Sequence, residues 1–545
     1  MSLQTRIPIV PVLPDSAPFT GEQRAWLNGF FAAILSADQV SAPTALSAGD
    51  AAALMPDMPA PAADDGADDG APWHDPAMPL TERMALAQGK ALPRRMMAAM
   101  AQQDCGQCGY VCETYAKALA DGAESKLNLC APGGKETLRM LKQLAEETAA
   151  APASAPAAAP APAAVSYDHT PHAPAPLGTR ENPGEVTFLG RTRLNKDGSE
   201  KETWHIEFDL AGSGIDYVAG DSFGVFPVND PDLVAAVLGA LHAPPDFPIA
   251  DKTLGEVLSR EVCLKSAPDA LFTLISYITG GERKAKARAL ASGEDPDGDA
   301  AILDVLAALE KFPGIRPDPE ALVECLEPLQ PRLYSISSSP TATPGKLTLT
   351  VDAVRYDLTG RTRLGVASTF LGSRIAPGTR MKAYIQKAHG FALPDDLARD
   401  VIMVGPGTGI APFRSFLHER LAAKAPGRNW LFFGHQKRDT DFFYEDELSG
   451  LQACGTLTRL DTAWSRDGAG KVYVQDKIRA AGPELWAWLQ AGAHFYICGD
   501  AKRMAKDVEA AMAAVAVEHG GLSAEAAARF VADLKTAGRY QADVY

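Results

Sequence analysis

At 545 residues the chain is too long for one hydrophobic core, so two to four domains are expected. Hydrophobic content of 46% and charged content of 22% are those of a globular protein, and a formal charge of -16 argues against a surface built to grip nucleic acid. No apolar run is long enough to cross a bilayer, and prolines interrupt residues 1–14 too often for a signal-peptide core. The reading is a cytoplasmic chain whose eight cysteines are reduced thiols.

In chain order, residues 1–41 hold one helical pattern, Thr20 to Ser36, with Trp26, Leu27, Phe30, Phe31 and Ile34 on a helical period. Residues 42–79, rich in Ala, Pro and Asp, read as a disordered acidic linker. Residues 80–147 read as a helical module in which Leu80 to Gln103 and Glu113 to Gly122 flank a cysteine loop. Cys105, Cys108, Cys112 and Cys130 follow the spacing C-x2-C-x3-C-x17-C. Four thiolates on a glycine turn are what a [4Fe-4S] cluster or a structural zinc requires, and a metal-free fold is the remaining reading. Residues 148–166, almost all Ala and Pro, form a semi-rigid spacer, which implies that the module moves relative to the C-terminal two-thirds of the chain.

From Pro183 the pattern turns to short strands: Glu185 to Arg193, Glu202 to Leu210 and Tyr217 to Pro227. A helical stretch over residues 231–330 then intervenes before strands resume at Arg332. The fold class expected is α/β plus β-barrel. An antiparallel barrel (170–230 and 331–398) carries the helical insertion, and a doubly wound parallel sheet (399–545) comes after it, behind a small N-terminal helical cysteine module.

Three stretches carry chemistry. Val401 to Val404 reads as a buried strand, and Gly405, Gly407, Thr408 and Gly409 lead into a helix from Phe413 to Leu421, the form of a pyrophosphate seat. Arg332, Leu333, Tyr334 and Ser335 place a cation, an aromatic and a hydroxyl on one strand, the groups a flavin dinucleotide needs. Gly365, Val366, Ala367 and Ser368 open a helix from Phe370 to Ile375, a second place for phosphate. Ser465, Arg466, Lys471 and Tyr473 gather a hydroxyl, two cations and a phenol, which suits a 2'-phosphate better than a bare ribose.

With these motifs, Ala463 to Asp467, Lys471 to Lys477, Cys498-Gly499-Asp500, Met504 to Asp507 and the terminal Arg539 to Tyr545, residues 183–545 resemble the ferredoxin-NADP reductase-type part of diflavin reductases. Within them the likeness is to the sulfite reductase branch, which carries Tyr where microsomal members carry Trp. The resemblance implies FAD and NADPH as cofactors and a sulfite reductase haemoprotein, or another redox acceptor protein, as partner. It implies that Cys498, Ser335 and Asp543 steady charge during hydride transfer and that Tyr545 stacks on the flavin ring. It further implies that Thr350, Val351, Asp352 and Tyr356 line the flavin, and that Val472, Val474, Gln475 and Asp507 line the nucleotide. The cysteine segment resembles small bacterial iron–sulfur modules, with one residue fewer between its second and third cysteines. Nothing in residues 1–170 reads as a flavodoxin domain, so no FMN is expected in this chain. A general NADPH reductase for a flavodoxin, ferredoxin or nitrate-reducing partner, and a non-enzymatic scaffold, are the competing readings.

Overall fold

The computed structural model describes residues 71–76, 78–150, 176–388 and 390–545. The helix expected at Thr20 to Ser36, most of the acidic linker and the Ala/Pro spacer beyond Ala150 lie outside these residues.

The cysteine module contains the helices Leu80–Leu86, Leu92–Ala99, Cys112–Ala120 and Gly134–Ala150 around Met96, Met97, Met100, Tyr115, Leu141 and Leu144. The single helix expected over Leu80 to Gln103 is therefore two. The chain turns at Gly89, whose φ of +79° is left-handed, and restarts with Pro93 in the first turn of the second helix, a position that needs no N–H. Order also begins earlier than expected. Trp73 is fully buried with the Arg94 guanidinium 5.1 Å from its ring, and His74 bonds to Gln102 and pairs with Asp104, so residues 71–76 belong to the module, not to a linker.

Beyond the module, the described residues form fifteen strands. β1 (Gly184–Arg193), β2 (Thr203–Asp209), β3 (Ser222–Val225), β6 (Arg332–Ser335), β7 (Lys346–Asp352) and β10 (Arg380–Gln386) form an antiparallel sheet in the order β6-β3-β10-β1-β2-β7. Its two edges meet at a bridge between Ile336 and Leu349, where Ser337 N–H donates to Thr348 O at 2.8 Å. Phe188, Phe208, Phe223, Ile336 and Leu349 fill one face. Between β3 and β6 run the helices from Pro231–Leu241 to Pro319–Cys325, with the two-residue strands β4 (Pro248–Ile249) and β5 (Lys252–Thr253) and a core of their own around Val237, Leu258, Phe272 and Leu306. β8 (Arg355–Leu358) and β9 (Arg361–Leu364) make a separate hairpin.

The last sheet is parallel: β11 (Val401–Val404), β12 (Asn429–His435), β13 (Arg459–Trp464), β14 (His494–Gly499) and β15 (Tyr540–Val544), ordered β13-β12-β11-β14-β15. All four residues of β11 are buried, as a central strand covered by helices on both faces must be. The strand order reverses around β11, and ligands of such sheets bind outside the carboxyl ends at that point. No helix among the described residues is long and apolar enough to cross a membrane.

Candidate functional site

The glycine turn leaves the carboxyl end of β11. Gly407–Ile410 is one turn of 3-10 helix, and the α-helix Ala411–Ala422 continues it. A Cβ on Gly409 would lie 2.1 Å from the Cys498 carbonyl oxygen, so this position accepts no larger residue without moving β14. Gly405, Gly407 and Thr408 complete the turn.

Strand register assembles the next group. β14 and β15 pair so that Cys498 stands opposite Asp543. The Cys498 thiol donates to Asp543 Oδ2 at 3.6 Å, and Ser335 Oγ, at the end of β6 in the other sheet, donates to the same oxygen at 2.6 Å. Burial raises the Asp543 carboxyl above its ordinary range against the opposing pull of those two donors. Burial, and then the neighbouring Asp543, raise the Cys498 thiol well above its usual value, so it is a proton donor rather than a thiolate. Tyr545 lies beside them, 56% exposed, its hydroxyl 2.8 Å from Thr408 Oγ1 and its N–H on Gly499 O.

The remaining expected residues divide. Arg332, Leu333 and Tyr334 are half-buried on β6, and the Arg332 guanidinium turns back on the carbonyls of Gln330 and Pro331. On β7 the side chains already have protein partners: Thr350 bonds Tyr444 Oη at 2.7 Å, Val351 is in the hydrophobic core and Asp352 pairs with Lys201 at 3.0 Å. Tyr356 is exposed on the hairpin. Gly365 precedes a single helical turn, Val366–Thr369, in which Ala367 and Ser368 are buried and Ser368 Oγ accepts from Val354 N–H. The helix expected at Phe370 to Ile375 is a π turn over Phe370–Arg374. Ser465 bonds the His435 carbonyl, Lys471 and Tyr473 are exposed, Val472 and Val474 face the sheet core, and Gln475 donates to Asp507 at 3.1 Å.

Two features escaped the sequence. Arg466 is paired with Glu200, from the loop between β1 and β2, so a carboxylate of the chain occupies the cation expected to meet a phosphate. A polar network also joins the sheets. Arg414 donates to Ser337 O at 2.7 Å and pairs with Glu447 at 2.7 Å, His418 lies 2.8 Å from Glu447, and Tyr444 Oη meets His205 at 3.1 Å. Burial opposes the Glu447 charge, but hydrogen bonds from His418 and Arg414 prevail and hold its carboxyl down to about 2. Burial, helped by Arg414, lowers His205 to about 4. The sequence signal for such partners was slight, since contacts between residues so far apart in the chain carry no periodicity.

In the module, Cys105, Cys108, Cys112 and Cys130 line one small cavity with Met100, Tyr110 and Tyr115. No group of three or more His, Cys, Asp or Glu side chains among the described residues is closed into a metal-holding set. Four sulfurs facing one cavity are the donor set that iron or zinc takes as thiolates, while the protein alone holds them as neutral thiols. Burial raises all four thiols, Cys105 to about 11 and Cys112 further with the help of Asp104, and the Cys108 thiol donates to the Tyr110 carbonyl at 3.4 Å. Buried Arg83 donates to the Met100 carbonyl, its Nε has no hydrogen-bond partner among the described residues, and burial lowers its guanidinium against the pull of Cys112 and Cys130.

Comparison with known proteins joins these parts. Residues 178–306 and 253–370 match an FAD binding domain, and residues 403–510 match an oxidoreductase NAD-binding domain. The chain carries the two in that order. It is 42% identical over 379 residues to the sulfite reductase [NADPH] flavoprotein alpha-component of Mannheimia succiniciproducens, an alignment covering 67% of this chain and 62% of that relative. It is 41% identical over 373 residues to the proteins of the same description from Shigella flexneri and Escherichia coli O9:H4, covering 61% of each. The chain thus spans about 62% of the length of the curated relatives it matches, and both matched domains lie after the cysteine module.

Proposed function

We propose that the chain is an NADPH-oxidising FAD flavoprotein that passes electrons to a sulfite reductase haemoprotein in the cytoplasm. One observation carries the reading: the hydrogen bond of 2.6 Å from Ser335 on the flavin sheet to Asp543 on the nucleotide sheet, with Cys498 in register against the same carboxylate. A polar set shared by two cofactor sheets belongs where the two cofactors meet. The six-stranded sheet, joined at its edges by the Ile336 bridge, is read as a closed flavin barrel over 170–230 and 331–398, with 231–330 as its helical connection and 399–545 as the nucleotide domain.

FAD, when bound, takes a hydride from the reduced nicotinamide and releases its electrons singly. The chain's own residues prepare that event. Asp543 accepts the protons of both the Ser335 hydroxyl and the Cys498 thiol, which fixes the two side chains and the carboxylate in place before any charge develops, so little rearrangement would be needed. Arg332, once its guanidinium leaves the Gln330 and Pro331 carbonyls, and the N–H groups at Gly365 to Ser368 would hold one pyrophosphate, and the turn Gly405 to Gly409 would hold the other. Ser465, Arg466, Lys471 and Tyr473 would hold the 2'-phosphate of the nucleotide, Arg466 after exchanging its pairing with Glu200 for the phosphate. Tyr545, held by its hydroxyl to Thr408, would stack on the flavin ring and would have to move aside for the nicotinamide. The four cysteines lining one cavity would be the ligands of an iron–sulfur centre, which would supply one-electron chemistry.

The test is anaerobic titration of the purified protein with NADPH, followed by addition of a sulfite reductase haemoprotein and sulfite. One FAD per chain should be bleached, and sulfide should form in proportion to NADPH consumed. Equal reduction by NADH, or no sulfide above a control lacking this chain, would sink the proposal.

A further inference from the structure

The cysteine module sits on the flavin sheet. A Cβ on Gly106 would run into the Gln386 side chain at the end of β10, so the cysteine loop presses directly on that strand. On one flank a Cβ on Gly109 would lie 3.4 Å from the Arg180 guanidinium, which itself reaches the Gln330 side chain at 2.9 Å. On the other, Arg139 meets Asp269 at 3.3 Å and Lys135 lies 6.0 Å from the Phe272 ring, which fixes the module to the helical insertion. The mobility expected from the Ala/Pro spacer is not what these contacts describe.

The docked loop delivers one side chain to the start of β6. Gln107, between Cys105 and Cys108 and 9% exposed, donates its side-chain amide to Pro331 O at 2.6 Å. The same carbonyl accepts from the Arg332 guanidinium at 3.1 Å, and that guanidinium also donates to Gln330 O at 2.9 Å. Arg332 must leave both carbonyls before it can meet a phosphate. Gln330 is half-buried and open to water, whereas Pro331 is buried, so the second carbonyl is the one that needs a donor from the protein. A carbonyl oxygen has two lone pairs, and the bond from Gln107 persists when the arginine departs.

We infer that Gln107 is a positioning residue for FAD: by holding the Pro331 carbonyl it frees Arg332 to turn to the pyrophosphate. This rests on the reading of Arg332 as a pyrophosphate ligand. Without the Gln107 amide, departure of the guanidinium would leave the buried carbonyl with no side-chain donor among the described residues, so Arg332 is held back and FAD binds more weakly. The cysteine loop then has a task in the flavin site that needs no metal.

The experiment titrates FAD into the full chain stripped of flavin, for wild type, Gln107→Met, Arg332→Ala and the double variant. Binding is read by flavin fluorescence and by the rise in melting temperature with added FAD. Methionine keeps the length and bulk of glutamine and loses the donor. Gln107→Met should weaken FAD binding about tenfold. It should leave the affinity for riboflavin, which has no pyrophosphate, at the wild-type value, and it should add nothing in the Arg332→Ala background. An unchanged FAD dissociation constant, an equal loss for riboflavin, or the same loss in both backgrounds would overturn the inference and leave the flavin reading standing. A wild-type chain that takes up no FAD would overturn both.

Discussion

The proposed hydride site and the four-cysteine cavity are assembled in opposite ways. Ser335, Cys498 and Asp543 are set by strand register and already hydrogen-bonded, so that region is complete as a polar device before any cofactor binds. The four cysteines sit around a cavity on loops and helix ends, not closed on one another. Sheets fix geometry through main-chain pairing, whereas loops leave the last adjustment to the ligand that fills them. Substitutions in the two regions should therefore fail differently.

Cys112→Ser is expected to abolish iron and sulfide binding outright while NADPH still bleaches FAD at the wild-type rate, as metal analysis and stopped-flow absorbance would reveal. If flavin reduction collapsed with the iron, the two regions would not be separable. Asp543→Ala should slow flavin reduction by NADPH about 10²–10³-fold, because the oriented donors lose their anchor, and leave iron content intact. Arg466→Ala should raise KM for NADPH roughly 10–100-fold with little change for NADH, a loss typical of one charge-assisted phosphate contact.

The interface network gives an effect on stability with a definite sign. Folding depresses the Glu447 carboxyl to about 2 and His205 to about 4, so both stabilise the folded state above their ordinary values and lose that contribution as pH falls through the folded ones. The melting temperature should therefore decline from about pH 6.5 downward, and Glu447→Gln should flatten the lower part of that decline; a flat wild-type profile would contradict it. The smallest effect expected is at Glu200. Removing an exposed pair is worth at most about 1 kcal/mol, so Glu200→Gln should lower KM for NADPH by about two- to fivefold in steady-state assays.

Much of the nucleotide half was legible because its signals are local: four apolar residues, a glycine turn and a helix succeed one another in Val401 to Leu421. Ser335, Cys498 and Asp543 were reached through resemblance, since no spacing argument joins residues 208 positions apart. Glu200 and the His205–Tyr444 contact were missed for the same physical reason, their meaning lying in partners across the fold. The helix break at Gly89 was available in the sequence but was outweighed by the apolar period on either side, and β15 escaped because a parallel edge strand is defined by its neighbour.

The contact between Gly409 and the Cys498 carbonyl has a consequence for remodelling the protein. With a Cβ at that glycine only 2.1 Å from the strand bearing the thiol, the phosphate grip and the reacting centre are geared to each other without slack. A search for variants that accept a different nucleotide should therefore leave this glycine untouched and work at the outer rim, around Arg466 and Lys471, where a change of shape is not transmitted to the chemistry.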